Sequence, residues 1–425
     1  MSDILQRLRD AEQLFAAYEI TGHELARVRA LREKLENSQM TVSVIGQFKR
    51  GKSALVNRIL GDKILPVGIV PVTAVVTSVQ YGEKSAEVHF ANGLVQPVAF
   101  DEISTFINEQ ENMDNHLNVT RVCIHCPAGF LREGITLVDT PGVGSLHEKN
   151  SEEAYAFVKE SDAVIFTLSV DSPINQIEIE FLRNAKEYAA KFYFAVNKID
   201  VIEEDELEAY LAYCRKFIAK LMEVPEVQMF PVSAKQGLGV EELTAAVSRD
   251  CRSQGQAILE ESSALKLHDI VLSALAQISL YRKALSLPAA EFDKRFAQMK
   301  KFFAALQEQT AAIPAPERKN RVVAEAHLND VKNRLTAKVS ELFGIDYHYD
   351  IEEVETGTDA QAAKAAAGMP ESDDLTQQVM ALCETLNATL NTIFMHREEN
   401  SYKVARRIND LNRLVRRLVK MRDFG

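Results

Sequence analysis

The sequence predicts an α/β domain, a mostly parallel sheet with flanking helices, joined to an elongated all-α helical bundle. From about residue 40 to residue 250, short β-rich runs alternate with helix-length stretches, as in a sheet with helical crossovers. After residue 255 the apolar residues repeat at four-three spacing, which is typical of long helices packed as a bundle or coiled coil. The first 38 residues form another amphipathic stretch, which needs partner helices because it cannot bury its apolar stripe alone.

Composition excludes several functional classes. The 425 residues carry a net charge of −12, which argues against nonspecific nucleic-acid binding by the chain as a whole. Five cysteines do not indicate a disulfide framework, so a reducing compartment is expected. The N-terminus shows no signal-peptide core, and no run approaches the roughly 18 apolar residues that a membrane-spanning helix needs. We therefore expect a cytoplasmic protein, at most peripheral to the inner face of a membrane, with no nucleic-acid partner.

Changes in composition and in the spacing of apolar residues along the chain predict five segments. They are N-terminal helices that join a stalk (1–38), the α/β domain (39–252), stalk helices (253–343), a tip loop or linker (344–372) and a long C-terminal stalk helix (373–425). Pro314 and Pro316 predict a turn within the stalk. The β-rich runs of the α/β domain are Thr41–Ile45, Ile135–Asp139, Ala163–Ser169, Phe192–Asn197 and Gln228–Val232.

A glycine-rich motif follows the first β-rich run. The stretch 46–53 matches G-x-x-x-x-G-K-[ST], and a helical run follows from Ala54. In such a loop, backbone N–H groups and the helix N-terminus bind the α- and β-phosphates, the lysine binds the β/γ oxygens, and the serine binds Mg²⁺. The predicted phosphate-binding residues are Gly46, Gln47, Phe48, Lys49, Arg50, Gly51, Lys52, Ser53 and Ala54.

Three further motifs follow in order, each at the end of a predicted strand. Asp139 and Gly142 form D-x-x-G, in which the carboxylate is expected to hold Mg²⁺ through water and the glycine N–H to sense the γ-phosphate. The stretch 197–200 reads N-K-I-D, and its carboxylate would accept two hydrogen bonds that guanine supplies and adenine cannot. The stretch 233–235, S-A-K, completes the base pocket. These motifs predict a GTP/GDP site, with base-binding residues Asn197, Lys198, Asp200, Ser233, Ala234 and Lys235.

A threonine between the phosphate loop and Asp139 is expected to close over Mg²⁺. Thr73 and Thr77 both qualify, but Thr77 lies in a β-branched run typical of a strand, so Thr73 is preferred. The predicted Mg²⁺ ligands are Ser53, Thr73 and Asp139. Val143 occupies the position where small Ras-like GTPases carry a water-orienting glutamine, so hydrolysis must be assisted from elsewhere or be slow.

The chain resembles the dynamin family, specifically the bacterial dynamin-like proteins. The resemblance rests on GQFKRGKSALVNRILG (46–61), LPVGIVPVTAVVT (65–77) and DTPGVGS (139–145), and the flanking helices are similar in architecture only. Thr73 falls on that family's switch I threonine. The resemblance implies a GTP-hydrolysing mechanochemical enzyme that assembles through its G domains and stalk to remodel, tether or fuse membranes. It also implies a homodimer when GTP is bound, or pairing with a second dynamin-like subunit, and allows that this chain is a short or truncated form.

The middle of the phosphate loop departs from the family. Typical dynamins have Gln-Ser there, and the serine helps to bind a charge-compensating monovalent cation, whereas this chain has Phe48-Lys49. The related guanylate-binding proteins place an arginine finger at the position of Lys49. One hypothesis is that the Lys49 ammonium compensates transition-state charge when two G domains dimerise. The alternative is that Lys49 and Arg50 are solvated or only add phosphate affinity. The catalytic candidates are Lys49, Thr73 and Gly142.

Two regions leave the membrane role open. The tip residues 343–351 alternate apolar or aromatic side chains with glycine, aspartate and histidine, and acidic residues follow. A segment packed on the bundle is therefore favoured over direct insertion into anionic lipid. Arginines near 406–417 suit the solvated face of a helix, with pairing to lipid or to the acidic G domain as the alternative. The competing interpretation of the whole chain is a soluble switch GTPase whose helices bind a protein or ribosomal partner without reshaping a membrane.

Overall fold

The chain divides into two structural units, one built on a β-sheet and one made of helices. The computed structural model describes residues 3–67, 75–90, 92–108, 111–112, 115–142, 157–318, 321–347, 374–399 and 401–423. One unit, called the α/β unit, comprises Arg32–Lys266, and the other, called the helical unit, comprises Asp3–Leu31 and Leu267–Gly425. The predicted combination of a mixed α/β sheet domain with a region of long helices is therefore confirmed.

The α/β unit is built on one sheet. Its nine described strands lie in the order β4-β3-β5-β2-β6-β1-β7-β8-β9. The strands are β1 Met40–Ile45, β2 Thr77–Tyr81, β3 Ser85–Phe90, β4 Val95–Val98, β5 Val119–Cys126, β6 Ile135–Asp139, β7 Ala163–Ser169, β8 Lys191–Asn197 and β9 Met229–Pro231. Each of the five predicted β-rich runs coincides with or overlaps one of them.

Parallel pairing places the carboxyl ends of five strands, β1, β6, β7, β8 and β9, at one edge of the sheet. β1 is parallel to β6 and β7, and the parallel order continues through β8 to β9. β2 and β5 are parallel to each other, while antiparallel pairing occurs at β2–β6 and around β3. Because ligands of open α/β sheets bind outside the carboxyl ends of the strands, this edge, called the carboxyl edge, is where the predicted motifs should meet.

The middle of the sheet is apolar on both faces because helices cover it. Every residue of β7 is buried, and Phe166 of β7 packs with Phe181 and Phe194 in one aromatic cluster. The helices within this unit are α3 Lys52–Leu60, α4 Ile103–Ile107, α5 Gln176–Ala185 and α6 Glu204–Met222. A continuous hydrophobic strand of this kind is expected for a parallel sheet buried on both faces.

Two helices contain the boundaries between the units. α2 runs Gly22–Glu36 and α7 runs Val240–Ser286, so the boundaries fall after Leu31 and after Lys266. The sequence predicts boundaries near 38 and 252. Ser262 and Lys266 are bonded to Asp162, which precedes β7, and these bonds attach the first half of α7 to the α/β unit.

The helical unit buries the apolar stripes read in the sequence. Its remaining helices are α1 Asp3–Ala16, α8 Ala289–Ala312, α9 Ala315–Arg318, α10 Arg321–Phe343, α11 Asp374–Arg397 and α12 Ser401–Asp423. Ile4, Leu8 and Phe15 of α1 are buried, as are Phe292 and Met299 of α8. Among the described residues, no helix combines the length and apolarity needed to span a bilayer.

Three predicted features of this unit can be compared with the structure. The turn at Pro314 is present, because α8 ends at Ala312 and α9 begins at Ala315. The long helix predicted over 373–425 is instead two helices, with the chain leaving helical geometry after Arg397, where the Arg397 guanidinium donates to the carbonyls of Ala284 and Leu287. Within the predicted tip, Tyr347 is buried, and residues 348–372 lie outside the described part of the chain.

Candidate nucleotide-binding site

The phosphate loop connects β1 to α3 at the carboxyl edge. Gly51 has φ +86°, and a Cβ added there would lie 2.4 Å from Asn197 Nδ2, so glycine is needed for both conformation and space. The Lys52 ammonium donates to the carbonyl of Gly46 at 3.0 Å, within the loop that a phosphate would fill. Burial lowers the pKa of Lys52 to about 8, although Asp139 and Glu178 act in the opposite direction. The loop is thus shaped around a buried cation.

Asp139 ends β6 beside the first turn of α3. Ser53 Oγ donates to Asp139 Oδ2 at 2.6 Å, while Oδ1 of the same carboxylate is buried with no partner among the described residues. Burial raises the pKa of Asp139 to about 6, against the smaller opposing effects of Ser53 and Lys52. A buried carboxylate oxygen beside a hydroxyl is the oxygen donor set that Mg²⁺ prefers, so these residues fit the ion. Thr73, the third predicted ligand, lies outside the described residues.

Gly142 lies against the phosphate loop. A Cβ at this position would be 2.8 Å from Phe48 Cα and 2.9 Å from Phe48 N, so a larger residue would push the two motifs apart. Thr140 Oγ1 donates to the carbonyl of Val44 at 3.0 Å, which fastens the end of β6 to β1. The structure therefore brings the predicted γ-phosphate sensor into direct contact with the predicted phosphate loop. Val143 lies outside the described residues.

The guanine motif is joined to the phosphate loop by one buried amide. Asn197 Nδ2 donates to the carbonyl of Arg50 at 2.9 Å, and Asn197 Oδ1 accepts from the backbone N–H of Ala234 at 3.0 Å. Ser233 Oγ donates to Asp200 Oδ1 at 2.7 Å. These contacts connect the ends of β1, β8 and β9. Ser233 and Ala234 are buried, whereas Lys235 is exposed.

The two surplus cations of the phosphate loop occupy different environments. Lys49 is exposed, has φ +68°, and its ammonium lies 5.3 Å from the centre of the Phe48 ring. Arg50 is only 2% exposed and pairs with Glu178, which is fully buried. Thr77 is buried in β2 and its hydroxyl donates to the carbonyl of Val75, which agrees with its interpretation as a strand residue.

Sequence reasoning missed the residues that support the motifs from outside. Arg58 of α3 donates to the carbonyls of Ala234 and Lys235 at 3.1 and 2.8 Å, which holds the base-pocket loop. Glu178 and Asn175 begin α5 with a capping box, in which each side chain bonds the other's backbone N–H. The pattern N-x-x-E before an apolar run is a readable signal for such a helix start, but nothing local to it indicates a phosphate-loop partner.

Comparisons with known proteins agree with this geometry. Residues 42–200 match the model of the dynamin family, so the resemblance drawn from the motifs is confirmed. An uncharacterised protein of Caldicellulosiruptor sp. is 37% identical over 210 residues, covering 49% of this chain and 52% of its own length. The bacterial dynamin-like protein of Nostoc punctiforme is 25% identical over 273 residues, covering 61% of this chain and 36% of its own length. The chain thus spans about half of the first relative and less of the second.

One solved structure matches nearly the whole chain. It is described as an oligomerised bacterial dynamin pair that provides a mechanism for the long-range sensing and tethering of membranes. The match has a TM-score of 0.45 and 17% identity, and it covers 99% of this chain and 80% of the other.

Proposed function

We propose that this chain, whose residues 42–200 match the dynamin family, binds GTP with Mg²⁺ and hydrolyses it to GDP and phosphate. The observation that carries the proposal is the convergence of four motifs at the carboxyl edge. The phosphate loop follows β1, the D-x-x-G motif of Asp139 lies at the end of β6, and the guanine motif and base-pocket loop lie at the ends of β8 and β9. Asn197 of the guanine motif is hydrogen-bonded to both the phosphate loop and the base-pocket loop. Such an edge of a parallel sheet is the usual nucleotide site.

Each residue of the site has a chemical task in this proposal. Lys52 exchanges its bond to the Gly46 carbonyl for the β/γ oxygens of GTP, and the N–H groups at the start of α3 bind the phosphates. Ser53, Asp139 and Thr73 would hold Mg²⁺, with Asp139 acting through water. When bound, Mg²⁺ neutralises charge on the phosphate oxygens. Gly142 offers its N–H to the γ-phosphate, and Asp200 accepts from guanine.

Lys49 is proposed as the group that compensates transition-state charge. Val143 cannot orient water as glutamine does, so another group must lower the barrier. Lys49 is exposed next to the phosphate loop, on a backbone conformation that residues other than glycine rarely adopt. An exposed ammonium on a flexible stem is free to reorient when a second G domain covers the nucleotide. The proposal therefore links turnover to dimerisation.

The wider role proposed is that of a mechanochemical protein that assembles to remodel, tether or fuse membranes. It is supported by the match to the dynamin family and by relatives named bacterial dynamin-like proteins. The chain would pair as a homodimer through its G domains or with a second dynamin-like subunit. It would bind lipid peripherally from the cytoplasmic side, since direct insertion is disfavoured by the acidic residues of the tip segment.

The wider role is tested by measuring turnover against protein concentration and lipid. GTP and ATP hydrolysis are measured with and without anionic liposomes, and liposome co-sedimentation is measured in parallel. We expect hydrolysis of GTP alone, a rate per molecule that rises with protein concentration, and nucleotide-dependent co-sedimentation. If the GTP turnover rate per molecule is independent of lipid and of protein concentration, and the protein does not co-sediment with liposomes, the soluble switch GTPase with a protein or ribosomal partner would be supported instead.

The Lys49 role is tested by substitution. For Lys49→Ala we expect kcat to fall about tenfold or more while the affinity for GDP changes less than about twofold, because the ammonium acts on transition-state charge. Lys84→Ala removes an exposed ammonium that pairs with Asp62 and lies over the Phe100 ring, and it serves as the matched control with unchanged kcat. An unchanged kcat for Lys49→Ala would contradict the proposed role and leave Lys49 as a solvated loop residue.

A further inference from the structure

Arg50 uses all of its hydrogen-bonding capacity inside the protein. A guanidinium has five N–H donors. Nε and Nη2 donate to the two carboxylate oxygens of Glu178 at 2.9 and 2.8 Å. Nη1 donates to Ser169 Oγ at 2.9 Å and to the Ser172 carbonyl at 2.7 Å, and Nη2 also donates to the Pro173 carbonyl at 3.0 Å. No N–H group is left over to bind a nucleotide phosphate.

All of these acceptors belong to one continuous stretch, Ser169–Glu178, called here the bridging segment. It begins at the last residue of β7 and ends in the first turn of α5. It also meets the nucleotide motifs at two other points. Asn175 Nδ2 donates to the side chain of Gln47 at 2.7 Å, and Asp171 pairs with the Lys198 ammonium at 2.7 Å. The bridging segment therefore contacts both the phosphate loop and the guanine motif.

The backbone of Arg50 completes a closed ring of contacts, called here the circuit, which runs through Arg50, the bridging segment, Lys198 and Asn197. The Arg50 carbonyl accepts from Asn197 Nδ2, one residue before Lys198, which pairs with the bridging segment. The side chain of Arg50 thus fixes the bridging segment, and the main chain of the same residue fixes the guanine motif. A displacement of Arg50 would move the phosphate-binding and base-binding parts of the site relative to each other.

We infer that Arg50 is a positioning residue, whose side chain sets the spacing between the phosphate loop and the guanine motif without itself touching the nucleotide. The inference rests on the proposed GTP site and adds a residue to it. It also explains why arginine occupies this position, because a lysine offers three donors on one atom and cannot reproduce the planar bidentate pair with Glu178. Loss of the circuit should weaken the binding of GDP and of GTP to a similar degree, since both nucleotides carry guanine and the β-phosphate.

The first test measures the circuit without nucleotide. Hydrogen exchange is compared for wild type, Arg50→Lys and Glu178→Gln, the last altering the partner while keeping its shape. We expect faster exchange in both 46–53 and the bridging segment for each variant, and unchanged exchange in the distant strand β5 (Val119–Cys126). Arg252→Met is the matched control, because its guanidinium is 60% exposed and pairs with Glu133. Wild-type exchange in 46–53 for both variants would overturn the inference.

The second test measures the consequence for binding. The fluorescent analogue mant-GDP is titrated into the same variants, and KM and kcat are measured with GTP. We expect Kd and KM to rise about tenfold or more, with kcat at saturating GTP reduced less than about threefold. A substitution that only unfolded part of the sample would lower kcat and leave KM unchanged. Unchanged Kd and KM in both variants would overturn the inference.

The two arms also separate this inference from the proposed function. Neither hydrogen exchange nor mant-GDP binding requires hydrolysis. A chain that binds mant-GDP more weakly after Arg50→Lys, but never hydrolyses GTP, would contradict the proposed GTPase and bear out the positioning role. A chain that hydrolyses GTP with the same KM before and after the substitution would support the proposed GTPase and contradict the positioning role of Arg50.

Discussion

Strand β7 has a buried ionic cluster at each end, and the two clusters are built differently. At its carboxyl end, Arg50 is held by planar, bidentate geometry and by acceptors from the single bridging segment. Before its amino end, the carboxylate of Asp162 accepts from the ammonium groups of Lys34 and Lys266, each at 2.7 Å. Ser262 Oγ and the Thr41 N–H also donate to it. One cluster centres on a buried cation, the other on a buried anion.

The difference suggests different tasks. The Arg50 cluster ties together loops of the candidate nucleotide-binding site. The Asp162 cluster ties α2 and α7, the helices in which the chain enters and leaves the α/β unit, to the start of β7. A lysine is a point charge on a flexible stem, so the second cluster tolerates small shifts of either helix that the rigid guanidinium fork would not. We expect the first cluster to control nucleotide affinity and the second to control stability.

The largest expected effect comes from removing the anion. Asp162→Asn leaves two ammonium groups without a counter-charge, and Lys266 is only 9% exposed. Removing one partner of a buried ionic group typically costs about 3–5 kcal/mol, so urea unfolding should show a loss of that order in the free energy of unfolding. The affinity of the folded variant for mant-GDP should change less than about twofold, unlike that of Arg50→Lys.

Asp62→Asn is the matched control for this substitution. Asp62 pairs with Lys84 at 3.0 Å, but both side chains are more than half exposed. Its removal should change the free energy of unfolding by less than about 1 kcal/mol, as for other surface pairs. If Asp162→Asn were no more destabilising than Asp62→Asn, the buried anion would not hold the α/β unit together. If it weakened mant-GDP binding tenfold, the division of tasks between the clusters would be wrong.

The sequence predicts the contents of the site better than its connections. Gly51, Asp139 and Asn197 could be assigned because each stands at a fixed offset from an apolar strand, and the carboxyl ends of parallel strands meet at one edge. The partners of Arg50 and Asp162 could not be assigned. Glu178 follows Arg50 by 128 positions, and Lys266 follows Asp162 by 104, so their contacts depend on strand order and helix placement. Residues 68–74 and 143–156, which include Thr73 and Val143, lie outside the described chain.

The second effect concerns acid stability. Burial alone would raise the pKa of Asp162, but Lys266 and Lys34 together lower it from 3.8 to about 2. Because the folded protein then holds this proton less tightly than the unfolded chain, the stabilisation is complete above about pH 4 and is lost as the pH falls through about 2. The contribution is about 2 kcal/mol.

Comparison with Asp162→Asn isolates this contribution from those of other carboxylates. The difference in free energy of unfolding between wild type and variant, measured by urea titration at several pH values, should shrink by about 2 kcal/mol as the pH is lowered from 5 towards 2. A difference that stays constant over this range would mean that the lysines do not hold the pKa of Asp162 down.

The smallest effects are expected from two serines, one in each cluster, and they give the most direct comparison. Ser262 and Ser169 are both fully buried, and each hydroxyl makes one hydrogen bond to the central ionic group, at 2.7 and 2.9 Å. The Ser169 hydroxyl also donates to Asp171 Oδ1 at 2.5 Å. Ser262→Ala and Ser169→Ala should each lower the free energy of unfolding by about 1–3 kcal/mol, because a buried charged group loses one bond.

Their effects on nucleotide affinity should differ, although both are buried serines bonded to an ionic group. Ser169→Ala removes an acceptor of the Arg50 guanidinium and a donor to Asp171, which pairs with Lys198, so we expect the Kd for mant-GDP to rise a few-fold, by about 2–5 times. Ser262→Ala loosens only the attachment of α7 and should leave that Kd unchanged. Equal effects of the two substitutions on Kd would mean that both ends of β7 act on the site through overall stability, and that the spacing set by Arg50 is not a separate control.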